Sequence, residues 1–131
     1  MVDMVYKIII AGGRDFDDYD MLKSEMDKYL FEDVGISTAT GGYPDEVEVV
    51  TGCARGADAL GERYAVENGY LVIYFPANWD QHGRAAGHIR NREMAEYANT
   101  CVVFWDGKSR GSKNMIDTAK ELGLATNVVS Y

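Results

Sequence analysis

The chain has 131 residues, 47% of them hydrophobic and 26% charged, with two prolines and a net charge of −8. That length fits one domain able to bury roughly two-thirds of its unfolded surface, and the composition excludes disorder as the main state. The longest apolar runs, Ile8 to Ala11 and Cys101 to Trp105, fall far short of the ~20 residues of a membrane span, and an acidic balance argues against a protein that coats nucleic acid.

Residues 5–10 (Val-Tyr-Lys-Ile-Ile-Ile) form a nearly continuous apolar run ending in Ala11-Gly12-Gly13, the pattern of a strand buried on both faces. Tyr19, Leu22, Met26, Tyr29 and Leu30 then recur at helical spacing, and Asp15, Asp17 and Asp18 supply N-cap choices, which predicts a helix over 18–31. Residues 32–46 hold Gly35, Gly41, Gly42 and Pro44 without a sustained period and read as an inserted mobile loop or small hairpin. A second strand over 47–51 leads through Gly52-Cys53-Ala54-Arg55-Gly56-Ala57-Asp58 into a helix that runs to Asn68, with Gly69 as its stop. A third strand, 70–75, is closed by Pro76, and 77–87 reads as a long connection, a length often associated with function. A helix over 88–98, a strand over 100–105, the loop 106–112, a helix to Leu122 and a strand over 124–129 complete the chain.

Five alternations of strand and helix specify an open, mostly parallel sheet with helices on both faces. Ligands bind such sheets outside the carboxyl ends of the strands, near the point where strand order reverses. With strand order 3-2-1-4-5, the glycine-rich loops after strands one, two and four are neighbours. Near the N-terminus Asp3 precedes a short apolar run without the basic region of a signal peptide, so the expected location is the cytoplasm. Cys53 and Cys101 stand far apart with no C-x-x-C partner, and both are expected to be reduced.

Charge is unevenly spread: residues 1–50 carry 12 acids and 4 bases, whereas 51–131 carry 9 of each. Arg14, Arg55, Arg84, Arg90, Arg92 and Arg110 lie in or beside glycine-containing connections, which implies a locally positive, anion-binding face. In the first loop, amides of Gly12 and Gly13 suit a phosphate and Arg14 adds a charged fork beside Asp15; a tight turn whose glycines merely permit close packing is the competing reading. Gly52, Cys53, Ala54, Arg55 and Gly56 repeat the device after strand two. There Asp58 suits either a ribose hydroxyl or the first turn of a helix, and Cys53 fits a small turn residue better than a nucleophile. After strand four, Asp106, Gly107, Lys108, Ser109, Arg110, Gly111, Ser112 and Lys113 make a third anion-suited loop, without the spacing of a Walker A motif. Arg90, Asn91 and Arg92 stand near the start of a helix, where cations oppose the dipole and so point to an anionic partner. Trp79 and Trp105 are candidates for stacking on a base. His82 and His88 lack a third ligand at metal-site spacing, and no metal is expected.

Gly12-Gly13-Arg14-Asp15-Phe16, Thr51 to Asp58, Ala86 to Met94 and Trp105 to Ser112 together resemble the SLOG superfamily. Within it the chain is most similar to the small YspA-like (YpsA-related) proteins of bacteria and their phages, over nearly all of its length except 32–46. The resemblance implies a Rossmann-like three-layer α/β/α domain for nucleotides or nucleotide-derived ligands, often as a sensor and commonly as a homodimer or larger homo-oligomer. The superfamily also holds the "lonely guy" phosphoribohydrolases and the DNA-processing protein A family. In the phosphoribohydrolases, P-G-G-x-G-T-x-x-E holds a phosphate and supplies a catalytic glutamate assisted by an upstream arginine. Arg90 falls at that arginine and Gly111-Ser112 at Gly-Thr, but Met115 takes the place of the glutamate, and a thioether cannot serve as a general base.

The favoured expectation is therefore binding or sensing of a nucleotide-type ligand with no obligatory cofactor. Amides of the three loops would hold phosphate or ribose, and Arg14, Arg55 and Arg90 would neutralise charge. The alternative is an N-glycosidic hydrolase acting on nucleoside monophosphates, with Asp15, Asp58 or Asp106 replacing the glutamate and Arg90 assisting. A second alternative is a module holding single-stranded DNA through the arginine-rich loops and Trp79 or Trp105.

Overall fold

A computed structural model describes residues 5–33 and 47–131. Five strands, β1 (Tyr6–Gly12), β2 (Val47–Thr51), β3 (Leu71–Tyr74), β4 (Thr100–Trp105) and β5 (Ala125–Ser130), form one sheet in the order β3-β2-β1-β4-β5. Every neighbouring pair in it is parallel. The helices are α1 (Tyr19–Asp27), α2 (Ala57–Asn68), the short α3 (Trp79–His82), α4 (Ala86–Tyr97) and α5 (Arg110–Glu121).

Successive side chains of a strand point to opposite faces, and β1 divides accordingly. Ile8 and Ile10 pack with Leu22 and Met26 of α1 and Tyr64 and Ala65 of α2. Ile9 and Ala11 pack with Met94 and Ala95 of α4 and Met115 and Ala119 of α5. Two apolar layers therefore sandwich the sheet, which is the Rossmann-like α/β/α arrangement expected. The chain moves outward from β1 to β2 and β3, then crosses back over β1 to β4. The crevice at the carboxyl ends of β1 and β4 is thus the reversal point where such folds place ligands.

Some boundaries differ from the sequence reading. Regular α1 ends at Asp27 and continues as a π-helical stretch over Lys28–Asp33, so the turn-rich segment expected over 32–46 begins at least two residues later; 34–46 lies outside the described residues. The connection 77–87 is largely helical: α3 is followed by a 3-10 turn, Gly83–Ala85, and α4 starts at Ala86 rather than 88. The Asn78 side chain caps α3 by accepting from the Gln81 N–H at 3.0 Å. A cap and not an apolar stripe sets that helix, and periodicity therefore misses it. No helix among the described residues is long and apolar enough to cross a membrane.

Candidate functional site

The loop after β1 is fastened from two sides. Gly13 N donates to the Phe104 carbonyl of β4 at 3.1 Å, and Gly13 O accepts from Phe16 N at 3.2 Å and Ala57 N at 3.1 Å. The second loop arrives so close that a Cβ on Gly56, whose φ is +78°, would lie 2.2 Å from Gly13 O and 2.6 Å from Arg14 O. Gly56 is thus explained by loop-against-loop packing, the competing reading of these glycines, and lines no part of the cleft described below. Gly13 is likewise covered by Tyr131, whose hydroxyl donates to Asp15 Oδ1 at 2.9 Å and whose ring lies 4.7 Å from that of Phe16. Burial and the Asp15 carboxylate raise that phenol to about 12, so Tyr131 remains a donor and Asp15 is already engaged.

In the second loop Thr51 Oγ1 accepts from Cys53 N at 3.2 Å, and Asp58 Oδ2 accepts from Ala54 N at 3.3 Å. Cys53 is exposed and left-handed, with φ +65°. Its thiol is raised above the ordinary value, mainly by desolvation, which suits a turn residue and not an activated nucleophile. Asp58 is 4% exposed. Burial raises its carboxyl to about 6 against the lowering effects of the Ala54 amide and the Arg90 and Arg14 charges.

Arg90 enters from α4. Its Nη1 donates to the Gly52 carbonyl, and a Cβ on Gly52 would meet that guanidinium and Asp58 Oδ2 within 2.9 Å. The Arg90 Nε donates to Asn91 Oδ1 at 3.1 Å, and Asn91 Nδ2 donates to Asn114 Oδ1 at 3.0 Å and the Gly111 carbonyl at 3.4 Å.

The third loop is built around Asp106, whose Oδ1 accepts from Lys108 N and Ser109 N, each at 2.8 Å. Trp105 Nε1 donates to Ser109 O at 3.0 Å. Ser109 then caps α5, its Oγ accepting from Ser112 N at 3.3 Å. Ser112 Oγ is buried and, among the described residues, makes no hydrogen bond. A Cβ on Gly111 would meet nothing within 4 Å.

These parts enclose a cleft of about 670 Å³, inside the range of roughly 300–1,000 Å³ usual for small-molecule sites. Gly12, Gly13, Arg14 and Asp15 line it from the first loop, Ala54, Arg55 and Asp58 from the second, and Arg90 and Asn91 from α4. Ser109, Gly111 and Ser112 line it from the start of α5. Three arginines against two aspartates leave this wall positive on a chain of net charge −8. Gly52 and Cys53 face an adjoining cavity instead. Gly56, Trp105, Asp106, Gly107 and Lys113 are not brought to the cleft wall. Trp105 and Asp106 shape the turn before α5, and Lys113 pairs with Asp117 at 2.7 Å on the exposed side of α5. Met94 and Met115 complete the wall. Met94, Asn114 and Tyr131 are contributors that sequence reasoning missed: an apolar helix residue, a helix amide and a chain-terminal tyrosine carry no local signature of a site.

A five-stranded parallel sheet between two helical layers, with a cleft at its reversal point, defines the class as a Rossmann-like α/β domain. The model of the YspA, cpYpsA-related SLOG family matches residues 6–82, more than half of the chain, and the chain belongs to that family. It is also 30% identical over 128 residues to the Gene 61 protein of Mycobacterium phage D29, covering 90% of this chain and 91% of that one. Among solved structures it is similar to DNA processing protein A (DprA) from Streptococcus pneumoniae, with a TM-score of 0.63 at 18% identity. That match covers 95% of this chain but 50% of the other, so the chain spans half of that protein's length and shares its fold. The family match ends at His82, so Arg90, Asn91 and Ser112 enter the site on geometry.

Proposed function

We propose that the chain binds a nucleotide or nucleotide-derived ligand through an anionic group seated at the start of α5, and does not cleave it. The observation that carries this reading is Ser112: its hydroxyl is buried, unpartnered and on the wall of a positive cleft at a helix N-terminus. A helix start offers unpaired N–H groups and a favourable dipole to an anion, and an orphaned buried hydroxyl costs stability unless a ligand satisfies it. Arg14, Arg55 and Arg90 supply further charge-assisted donors.

Binding without hydrolysis is supported by Met115, which is 1% exposed and forms part of the cleft wall where the resembled hydrolases bring a glutamate. Asp58, a carboxylate of that wall, is spent on the Ala54 amide, and Asp106 on its own turn. The chain's fold is shared with a DNA processing protein, but its acidic balance works against a long phosphate backbone.

The test is a thermal-shift series with AMP and GMP beside adenosine and guanosine. A ligand at 100 times its dissociation constant stabilises by about 2.7 kcal/mol, a shift of roughly 10 °C in a domain this size. A shift with a nucleotide but not its nucleoside, and no free base released on incubation, is the expected result. Equal shifts with nucleoside and nucleotide would remove the anion site, and base release abolished by Asp58→Asn would establish the hydrolase instead.

A further inference from the structure

We propose that the site has two chambers and that its ligand is a dinucleotide, two nucleosides joined through phosphate, with the second base stacked on Trp79. The inference rests on the nucleotide-binding reading above and narrows it.

A second cavity of about 620 Å³ adjoins the first. Arg14, Ala54, Arg55 and Arg90 line both, so the arginines stand at the shared wall. The far side of the second chamber is formed by Pro76, Ala77 and Trp79. A mononucleotide anchored at Ser112 sits in the first chamber and leaves the second, which shares the three arginines and has no acid on its wall, without an occupant.

Three features suit that chamber to a phosphate-linked ring. Arg14 and Arg55 are exposed, and neither makes a hydrogen bond or ion pair among the described residues; planar guanidinium forks match phosphate oxygens. Trp79 is 51% exposed although its side chain is the largest apolar surface a residue can offer. One edge of its ring lies beside Gly87 of α4, where an added Cβ would come to 3.6 Å from Trp79 Cη2. The Asn78 cap anchors the helix that Trp79 begins. An exposed indole beside cationic side chains is how proteins build a stacking platform for a base.

Calorimetric titrations compare AMP, ADP and diadenosine diphosphate, with the corresponding guanine series, against the whole chain and its Trp79→Ala and Trp79→Phe variants. ADP controls for charge, since it adds a phosphate without a second ring. The expected result is that a dinucleoside diphosphate binds at least about tenfold more tightly than both its mono- and diphosphate, the low end of what one stacked base contributes. Trp79→Ala abolishes that preference while mononucleotide affinity stays within about twofold, and Trp79→Phe, which keeps a ring, retains much of it. An equal gain from ADP, or a preference that survives Trp79→Ala, overturns the inference and leaves the mononucleotide reading standing. If no member of either series binds the folded protein, both readings fall together.

Discussion

The Nε of Arg90 donates to Oδ1 of Asn91 at 3.1 Å, and these sequence neighbours reach in opposite directions. Arg90 continues to the Gly52 carbonyl at the end of β2, while Asn91 continues to Gly111 and Asn114 at the start of α5. The pair is a strut carried by α4. It ties the second glycine loop to the start of α5, so two walls of the cleft are set by one helix.

Breaking that strut should be felt in stability first. Asn91 is 6% exposed, and Asn91→Ala takes a partner from the Gly111 carbonyl, the Asn114 amide oxygen and the Arg90 Nε. Losing such bonds costs about 1–3 kcal/mol, a drop in melting midpoint of roughly 5–10 °C, with a parallel loss of AMP affinity. A midpoint unchanged by the substitution would show that the strut bears no load.

At the start of α5, stability and binding should move in opposite directions. Gly111→Ala meets no protein atom within 4 Å and exchanges a poor helix former for the best one, a gain of about 0.5–1 kcal/mol. Ser112→Ala removes the unpartnered hydroxyl and is expected to be neutral or stabilising by up to about 1 kcal/mol. Both should weaken AMP binding about tenfold, one by placing a methyl in the cleft and the other by deleting a donor. Melting curves and titrations on the same samples check this, and a substitution that lowers both quantities would assign its residue to the fold and not to the ligand.

The contrast between Gly111 and Gly56 also shows what was legible in the sequence. The apolar runs of β1 and β4, the stop at Gly69 and the three loops made the alternating strands and helices legible, because their periodicities are local; the strand order is long-range, and the expected 3-2-1-4-5 is the order observed. The reason for each glycine is not local: Gly56 is required by the backbone of Gly13, which lies far from it in sequence, whereas Gly111 faces open space. Trp105 and Asp106 look like ligand groups by composition, yet their partners are the amides and carbonyl of their own turn. Tyr131 over Gly13 joins residues from opposite ends of the chain, a contact that only the closed sheet creates.

Cys53 offers a test of strain. Its φ of +65° costs a residue with a side chain about 1–2 kcal/mol, and a β-branched one more. Cys53→Gly relieves that strain but enlarges the entropy of the unfolded chain, so its stability should lie within about 1 kcal/mol of the parent. Cys53→Val should lose about 1–2 kcal/mol, read from the midpoint of urea unfolding. A valine variant as stable as the glycine variant would mean that this turn relaxes to negative φ.

Asp58 sets a pH dependence whose sign follows from burial. Its carboxyl rises from 3.8 to about 6 because desolvation outweighs the Ala54 amide and the nearby arginines. Below about pH 4 the group is protonated in folded and unfolded chains alike. Between about pH 4 and 6 the folded chain keeps a proton that the unfolded chain releases, so stability falls as pH rises; above about pH 6 the full cost is present, about 2–3 kcal/mol. Asp106, held low by the Ser109 and Lys108 amides, and Glu67, held low by Tyr19 and Arg63, act in the opposite sense. The contribution of Asp58 is therefore read as a difference from Asp58→Asn, whose amide oxygen still accepts from Ala54. Urea melts from pH 4 to 7.5 should show the variant gaining on the parent by about 2 kcal/mol across that range. Its affinity for AMP at pH 7 should rise several-fold, because the cleft loses a negative charge. A stability difference that stays constant with pH would mean that the buried carboxyl ionises at its ordinary value and that Arg90 compensates its burial in full.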